Sequence, residues 1–168
     1  WTHTLDAPLK TGQVLSQLDT ALQQAGEARH IKLYNAGNFM DSRAIPVADR
    51  LEIAGRLDRF ETVIVENHPK MCTPAMADFA AMLSGSLEVA MGLETIHPDV
   101  LPRLNKRMTL DDFAGAAERL LGWGVSVRAF ILLGLPWVQT EDFVLWAARS
   151  VEWARATGCH VSSVIPTR

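Results

Sequence analysis

Apolar residues recur along this chain at spacings that predict helices alternating with strands. Between Thr11 and Gly26 they recur at steps of three and four, which gives a helix one apolar face and a glycine at its end. Similar spacing predicts four further helices. Their starts are marked by Ile45-Pro46, Pro74, Thr109 and Thr140.

Five short runs of mainly aliphatic residues separate these helices and are predicted to be strands. They cover residues 31–34, 62–66, 87–91, 127–133 and 161–165. Because a helix lies between each strand and the next, the strands are expected to run parallel through right-handed crossovers. The chain is therefore predicted to be an α/β protein. Periodicity alone leaves open whether its sheet stays open or forms part of a barrel.

Length and composition favour a single domain over residues 1–168. A chain of 168 residues with 48% hydrophobic content can bury one compact core. The formal net charge of −3 offers no broad basic surface, so nucleic-acid binding by this segment is not supported. The longest apolar runs fall well short of the roughly 20 residues that span a bilayer, so no membrane partner is expected.

Cysteine usage predicts a reducing, cytoplasmic protein. Cys72 and Cys159 are the two cysteines and lie far apart, so they form neither a disulfide framework nor a Cys-x-x-Cys metal motif. The histidines also lack the spacing of a metal site. The chain opens at Trp1 without an initiator methionine, which indicates a piece of a longer protein.

Polar residues and glycines gather where the predicted strands end, the edge at which parallel α/β folds place function. The loop after the third strand adds cations, so that Glu94 with Lys106 or Arg107 offers acceptors for an ammonium and donors for a carboxylate. That pattern suits a zwitterion such as an amino acid. The same residue types also form turns and solvated loops, and the residues alone leave both interpretations open.

Five stretches, in order and spacing, resemble the core of radical S-adenosylmethionine (SAM) enzymes. The resemblance is closest to the branch with the elongator catalytic subunit and the radical subunit of archaeosine synthase, and it covers nearly the whole chain. The stretches are IKLYNAGNFMD (31–41), IVENHP (64–69), LEVAMGLET (87–95), LNKRMTLDDF (104–113) and FILLGLP (130–136).

This resemblance implies a partial (β/α)6 TIM-like barrel in which a [4Fe-4S] cluster cleaves SAM reductively. In the family a CxxxCxxC loop after the first strand holds the cluster, and that motif is absent here. Residues 1–6 resemble the segment just after it. The five predicted strands would then be the second to sixth, the isolated chain would be inactive, and the missing first strand would leave an edge prone to oligomerisation.

The resemblance also implies which residues bind SAM, while no catalytic or metal-binding residue is implied within this chain. In the family, the loop after the second barrel strand holds the amino group of SAM. Glu94 matches the position that reaches the ribose or methionine part, and the cations match a site for the carboxylate. The two last strand ends flank adenine. The implied set is Asn35, Gly37, Asn38, Glu66, Glu94, Lys106, Arg107, Leu133, Gly134 and Ile165.

The substrate and two rival interpretations stay open at this stage. The stretches LGLPWVQTED and VIPTR depart from the archaeosine-type pattern, so the substrate is an unknown small molecule or macromolecule. One rival is a non-catalytic α/β binding or scaffolding module. The other is a cluster-free aldolase-like or isomerase-like barrel fragment, although no strand-end lysine suits Schiff-base chemistry.

Overall fold

The computed structural model describes residues 7–34 and 37–167, and the elements below refer to that part of the chain. The helices are α1 (Gln13–Leu22), α2 (Arg50–Arg56), α3 (Pro74–Met82), α4 (Leu110–Gly122) and α5 (Phe143–Ala156). The strands are β1 (His30–Leu33), β2 (Thr62–Glu66), β3 (Ser86–Glu94), β4 (Ser126–Leu133) and β5 (Val161–Pro166). Short 3-10 turns cover Val47–Asp49, Pro69–Met71, Leu101–Leu104 and Thr140–Asp142.

The five parallel strands form one sheet in the order β1-β2-β3-β4-β5, with a helix between each strand and the next. His30 pairs with Thr62 at the start of the β1–β2 ladder, and Arg128 pairs with Val161 at the start of the β4–β5 ladder. Neighbours in sequence are thus neighbours in the sheet. The predicted α/β class with five parallel strands is confirmed.

The described residues group into two compact units. The first contains residues 7–34, 37–67 and 71–89, and the second contains residues 68–70 and 90–167. Among the described residues, none of the helices is long and apolar enough to cross a membrane.

The core of the first unit is built from aromatic and β-branched residues. The rings of Phe39 and Phe79 pack at an angle of 53° with centroids 4.8 Å apart, and Val63 in β2 is fully buried. The chain turns from α3 into β3 at Gly85, where a Cβ would lie 2.3 Å from the carbonyl oxygen of Phe60. Only glycine allows this close approach of two backbones.

The core of the second unit is formed by α4 and α5 against β4. The predicted start of α4 at Thr109 is a capping box, in which Thr109 Oγ1 accepts from the amide of Asp112 and Asp112 Oδ2 accepts from the amide of Thr109. Its apolar face buries Phe113, whose ring lies 5.8 Å from that of Trp153. The chain leaves the helix through Gly124 at φ 74°, a left-handed conformation natural for glycine after a helix.

Three element boundaries differ from the sequence-based prediction. Thr140 does not cap α5, because residues 140–142 form a 3-10 turn and α5 begins only at Phe143. The second predicted helix starts later than Ile45, because Pro46 has an extended backbone and α2 proper begins at Arg50. The strand β3 runs on to Glu94, because Gly92 interrupts the apolar run without ending the extended conformation.

Candidate functional site

The strand β3 ends in a strained turn at Glu94. The amide of Thr95 donates to the carbonyl oxygen of Leu93 at 2.8 Å, and Glu94 between them has φ 65°. This is a three-residue γ-turn of the kind with positive φ, which is rare because a side chain in that conformation is strained by about 1 to 3 kcal/mol. Glu94 is also buried. Strain and burial of a carboxylate at the end of a strand are typical of a functional position.

Lys106 pairs with this buried carboxylate. Its Nζ lies 2.6 Å from Glu94 Oε1, and the side chains are 36% and 10% exposed, respectively. Lys106 lies between two residues with left-handed backbones, Asn105 and Arg107, each at φ 51°. Asparagine tolerates this conformation, whereas arginine does so at a cost. Both members of the ion pair therefore lie in or next to strained backbone, which the surrounding structure must hold in place.

Gly92 makes room for this ion pair. A Cβ at position 92 would lie 2.3 Å from Glu94 Oε1 and 2.9 Å from Lys106 Nζ. Because real Cβ atoms do not approach so closely, any larger residue would push the two charged groups aside. The sequence shows the glycine within the VAMGLET stretch, but its role depends on contacts that only the structure reveals.

The sequence left the choice between Lys106 and Arg107 open, and the structure selects Lys106 as the partner of Glu94. Arg107 is exposed, one residue beyond the pair. Its φ of 51° is left-handed, and α4 begins three residues later at Leu110. Of the cations predicted for this loop, Lys106 is thus the one that the structure brings to the carboxylate.

The predicted residues at the ends of β4 and β5 are joined through Thr167. Its amide donates to the carbonyl oxygen of Leu133 at 2.7 Å, and its hydroxyl donates to the carbonyl oxygens of Leu133 and Gly134. Gly134 has φ 89°, a conformation natural for glycine. Ile165 is 39% exposed. Sequence reasoning missed Thr167, because a threonine after a strand carries no distinctive signal.

In the first unit, the loop after β1 is anchored on the end of β2. The amide of Phe39 donates to the carbonyl oxygen of Glu66 at 3.0 Å, and the amide of Met40 donates to Oδ1 of Asn67 at 3.2 Å. Gly37 and Asn38, just before these contacts, are half-buried. The structure therefore brings Gly37, Asn38 and Glu66 to neighbouring strand ends. The other residue predicted in this loop, Asn35, lies outside the described residues.

The described residues include no group of three or more histidines, cysteines, aspartates or glutamates that could hold a metal ion. Both cysteines are buried. Cys72 Sγ accepts a long hydrogen bond of 3.7 Å from Asn67 Nδ2. Burial raises the pKa of the Cys159 thiol to about 11, so this thiol stays protonated at neutral pH.

Two archaeal proteins are similar to this chain in sequence, although no protein-family model matches it. Archaeosine synthase subunit beta of Methanosarcina acetivorans is 30% identical over 128 residues, which are 71% of this chain and 37% of that protein. Archaeosine synthase subunit beta of Thermococcus kodakarensis is 28% identical over 127 residues, which are 72% and 39%, respectively. The chain thus spans less than two fifths of the length of these relatives.

Solved structures of radical SAM enzymes share the fold. The archaeal Methanocaldococcus infernus Elp3 with an N-terminal deletion has a TM-score of 0.68 at 12% identity, over 96% of this chain and 44% of that chain. The radical SAM methyltransferase TsrM from Kitasatospora setae, with cobalamin and a [4Fe-4S] cluster bound, has a TM-score of 0.63 at 17% identity. The match covers 91% of this chain and 30% of that chain.

These similarities define the class of the fold and show which radical SAM proteins the chain resembles. The chain has the α/β partial-barrel fold of the radical SAM superfamily. In sequence the chain is similar to the archaeosine synthase subunits, and in fold it is similar to Elp3, which is the resemblance to the elongator and archaeosine synthase branch. The resemblance inferred from the strand-end motifs is therefore confirmed.

Proposed function

We propose that this chain is the SAM-binding part of a radical SAM enzyme, in which a [4Fe-4S] cluster supplies the electron for reductive cleavage of SAM. The observation that carries the proposal is the ion pair between the buried carboxylate of Glu94, at the end of β3, and the half-buried Lys106. It is supported by the archaeosine synthase relatives and by the fold shared with TsrM. The substrate of the radical chemistry is unidentified.

The chemistry of the ion pair suits the amino-acid part of SAM. An ammonium needs acceptors and a carboxylate needs donors, which the Glu94 carboxylate and the Lys106 ammonium supply. In the structure these two groups pair with each other. On binding, each exchanges its partner for the complementary group of the ligand, so no charge is left without a partner in a site of low exposure. The main-chain groups of Leu133 and Gly134 are proposed to flank the adenine.

The cluster is proposed to be held by residues outside this chain, because the CxxxCxxC motif is absent from its sequence. The chain's own contribution is then to bind and orient SAM, as proteins do for cofactors that carry the chemistry themselves. The SAM contacts of Asn35, Gly37, Asn38 and Glu66 stay a prediction from the family resemblance.

The proposal is tested by SAM binding and by turnover. Calorimetric titration should show that Lys106→Met and Glu94→Gln each weaken SAM affinity by about 5- to 150-fold, the effect of losing 1 to 3 kcal/mol. Arg29→Met is the matched control, since it removes an exposed ion pair with the same 2.6 Å distance to Glu61. Equal SAM affinity in wild type and in all three variants would refute the assignment of this site.

Turnover is measured on the full-length protein that contains this chain. After anaerobic reconstitution with iron and sulfide and addition of a strong reductant, SAM should be cleaved to 5'-deoxyadenosine and methionine. Absence of both products from a reconstituted protein with an intact cluster spectrum would overturn the proposed enzyme class, whatever the binding data show.

A further inference from the structure

The segment after β2, residues 68–70, holds the loop that carries Lys106 at two points. Nε2 of His68 lies 2.8 Å from the carbonyl oxygen of Lys106. Nζ of Lys70 lies 3.3 Å from Oδ2 of Asp112, the residue in the first turn of α4 that completes the capping box with Thr109. All of these residues belong to the second unit. The short segment therefore fixes both the middle of the loop and the start of the helix that follows it.

The hydrogen bonds of His68 define which ring nitrogen carries the proton. The amide of Lys70 donates to Nδ1 of His68 at 3.1 Å, so Nδ1 must act as an acceptor. In the neutral ring the proton then lies on Nε2, which donates to the carbonyl oxygen of Lys106. His68 thus uses one nitrogen to fix its own ring and the other to hold the loop.

The loop needs such a contact because its backbone is strained on both sides of Lys106. Asn105 and Arg107 have φ 51°, and strained backbone persists only where its surroundings hold it. The ion pair with Glu94 also holds Lys106. Once a ligand carboxylate has taken the place of Glu94, that hold is lost. The hydrogen bond from His68 does not involve the ion pair and survives the exchange.

We propose that His68 is a positioning residue, which keeps the ammonium of Lys106 in place to receive the carboxylate of SAM. This inference rests on the proposed function, since it assigns His68 a role at the same site. His68 itself acts on the main chain of Lys106 and has no direct contact with SAM in this proposal.

Two substitutions that differ by one methylene separate positioning from general stability. In His68→Gln, the longer side chain places an amide donor near the position of Nε2 and should still reach the carbonyl oxygen of Lys106. In His68→Asn, the shorter side chain keeps a polar group near the position of Nδ1, but it is too short to reach the carbonyl oxygen of Lys106. His160→Leu is the control, because His160 makes a similar 2.8 Å contact with the carbonyl oxygen of Val127.

The first measurement needs no ligand. Hydrogen–deuterium exchange of residues 105–107 should become faster in His68→Asn and remain near the wild-type rate in His68→Gln and His160→Leu. Unchanged exchange at 105–107 in His68→Asn, in a protein that unfolds at the wild-type temperature, would overturn the inference, because the loop would then be held without the imidazole.

The second measurement is SAM affinity of the full-length protein by calorimetric titration. His68→Asn should weaken binding about tenfold, and His68→Gln should restore it to within about threefold of wild type. In a Lys106→Met background, His68→Asn should have no further effect, because the group that it positions is gone. An equal loss in both backgrounds would show that His68 acts on general stability, and the inference would fail.

The outcomes distinguish this inference from the proposed function. If wild type binds SAM in a Lys106-dependent way and His68→Asn binds equally well, only the inference fails. If wild type does not bind SAM at all, the proposed function fails and the role of His68 in SAM binding fails with it.

Discussion

Nζ of Lys106 lies 2.6 Å from Oε1 of Glu94, although the two residues come from a strand end and from a separate loop. The backbone of Glu94 is in a strained γ-turn, and Lys106 lies between two left-handed residues. Glycine at position 92 leaves the space that the two charged groups fill. An ion pair assembled at this conformational cost is a candidate for ligand binding, since strain of this kind gathers at functional sites.

Gly92→Ala is expected to displace the ion pair while leaving the fold intact. The added Cβ would meet the ends of two flexible side chains, Glu94 Oε1 and Lys106 Nζ, which move at modest cost. SAM affinity should fall about tenfold or more by calorimetric titration. Gly115→Ala is the control, because it lies in α4 with Arg119 Nη1 as its nearest neighbour at 3.4 Å. That change should stabilise the helix by about 0.5 to 1 kcal/mol.

Arg107→Gly is expected to separate the roles of the two adjacent cations. Glycine adopts φ 51° without the strain that arginine bears there, so the variant should unfold at the same or a slightly higher temperature. SAM affinity should change by less than about threefold, in contrast to Lys106→Met. A large loss of affinity in Arg107→Gly alone would assign the carboxylate contact to Arg107 instead.

Thr109→Ala is expected to destabilise the chain by about 1 kcal/mol through loss of the capping box. Denaturant unfolding would measure this change. Thr20→Ala serves as the comparison, since Thr20 is an exposed residue of α1 whose hydroxyl donates to the carbonyl oxygen of Ser16 within the same helix. That variant should unfold within about 0.5 kcal/mol of wild type.

The capping box also gives stability a dependence on pH at acidic values. The hydrogen bond from the Thr109 amide, followed by the hydrogen bond from Lys70, holds the pKa of Asp112 below its usual range. The stabilisation is present above the usual pKa of about 3.9 and is lost as pH falls through the lower pKa of the folded state. Asp112→Asn should therefore reduce the loss of stability between about pH 5 and pH 2. If the free energy of unfolding fell equally with pH in wild type and Asp112→Asn over that range, this prediction would be contradicted.

Cys159 is expected to resist alkylation in the folded protein. Its pKa is raised by burial to about 11, so the reactive thiolate is scarce at about pH 8. Because the folded state binds this proton more tightly than the unfolded state, the contribution of Cys159 to stability is full below its ordinary pKa and falls as pH rises toward 11. Mass spectrometry after iodoacetamide treatment should find Cys159 modified only when denaturant is present. Rapid modification without denaturant would show that the thiol is accessible.

Local features of the sequence were enough to predict most elements of the fold. The prediction of β2 matches its observed range, Thr62–Glu66, because β-branched residues between polar turns define such a strand locally. The start of α4 was predicted from the Thr109 capping pattern for the same reason. The prediction at Thr140 was wrong, because a cap-forming residue also fits the 3-10 turn that precedes α5.

The candidate site was only partly accessible from the sequence. Glu94 and a nearby cation could be predicted, because parallel strands place their carboxyl ends at one edge of the sheet. Three features could not be predicted. They are the selection of Lys106, the space left by Gly92, and the contact from His68, which lies 38 positions earlier in the chain than Lys106. These depend on left-handed backbone at single residues and on contacts between distant segments, neither of which leaves a periodic signal. The sequence by itself thus determined the order of elements and the residue types at the strand ends, while the tertiary structure decided which of them meet, because side-chain distances are set only when the elements pack.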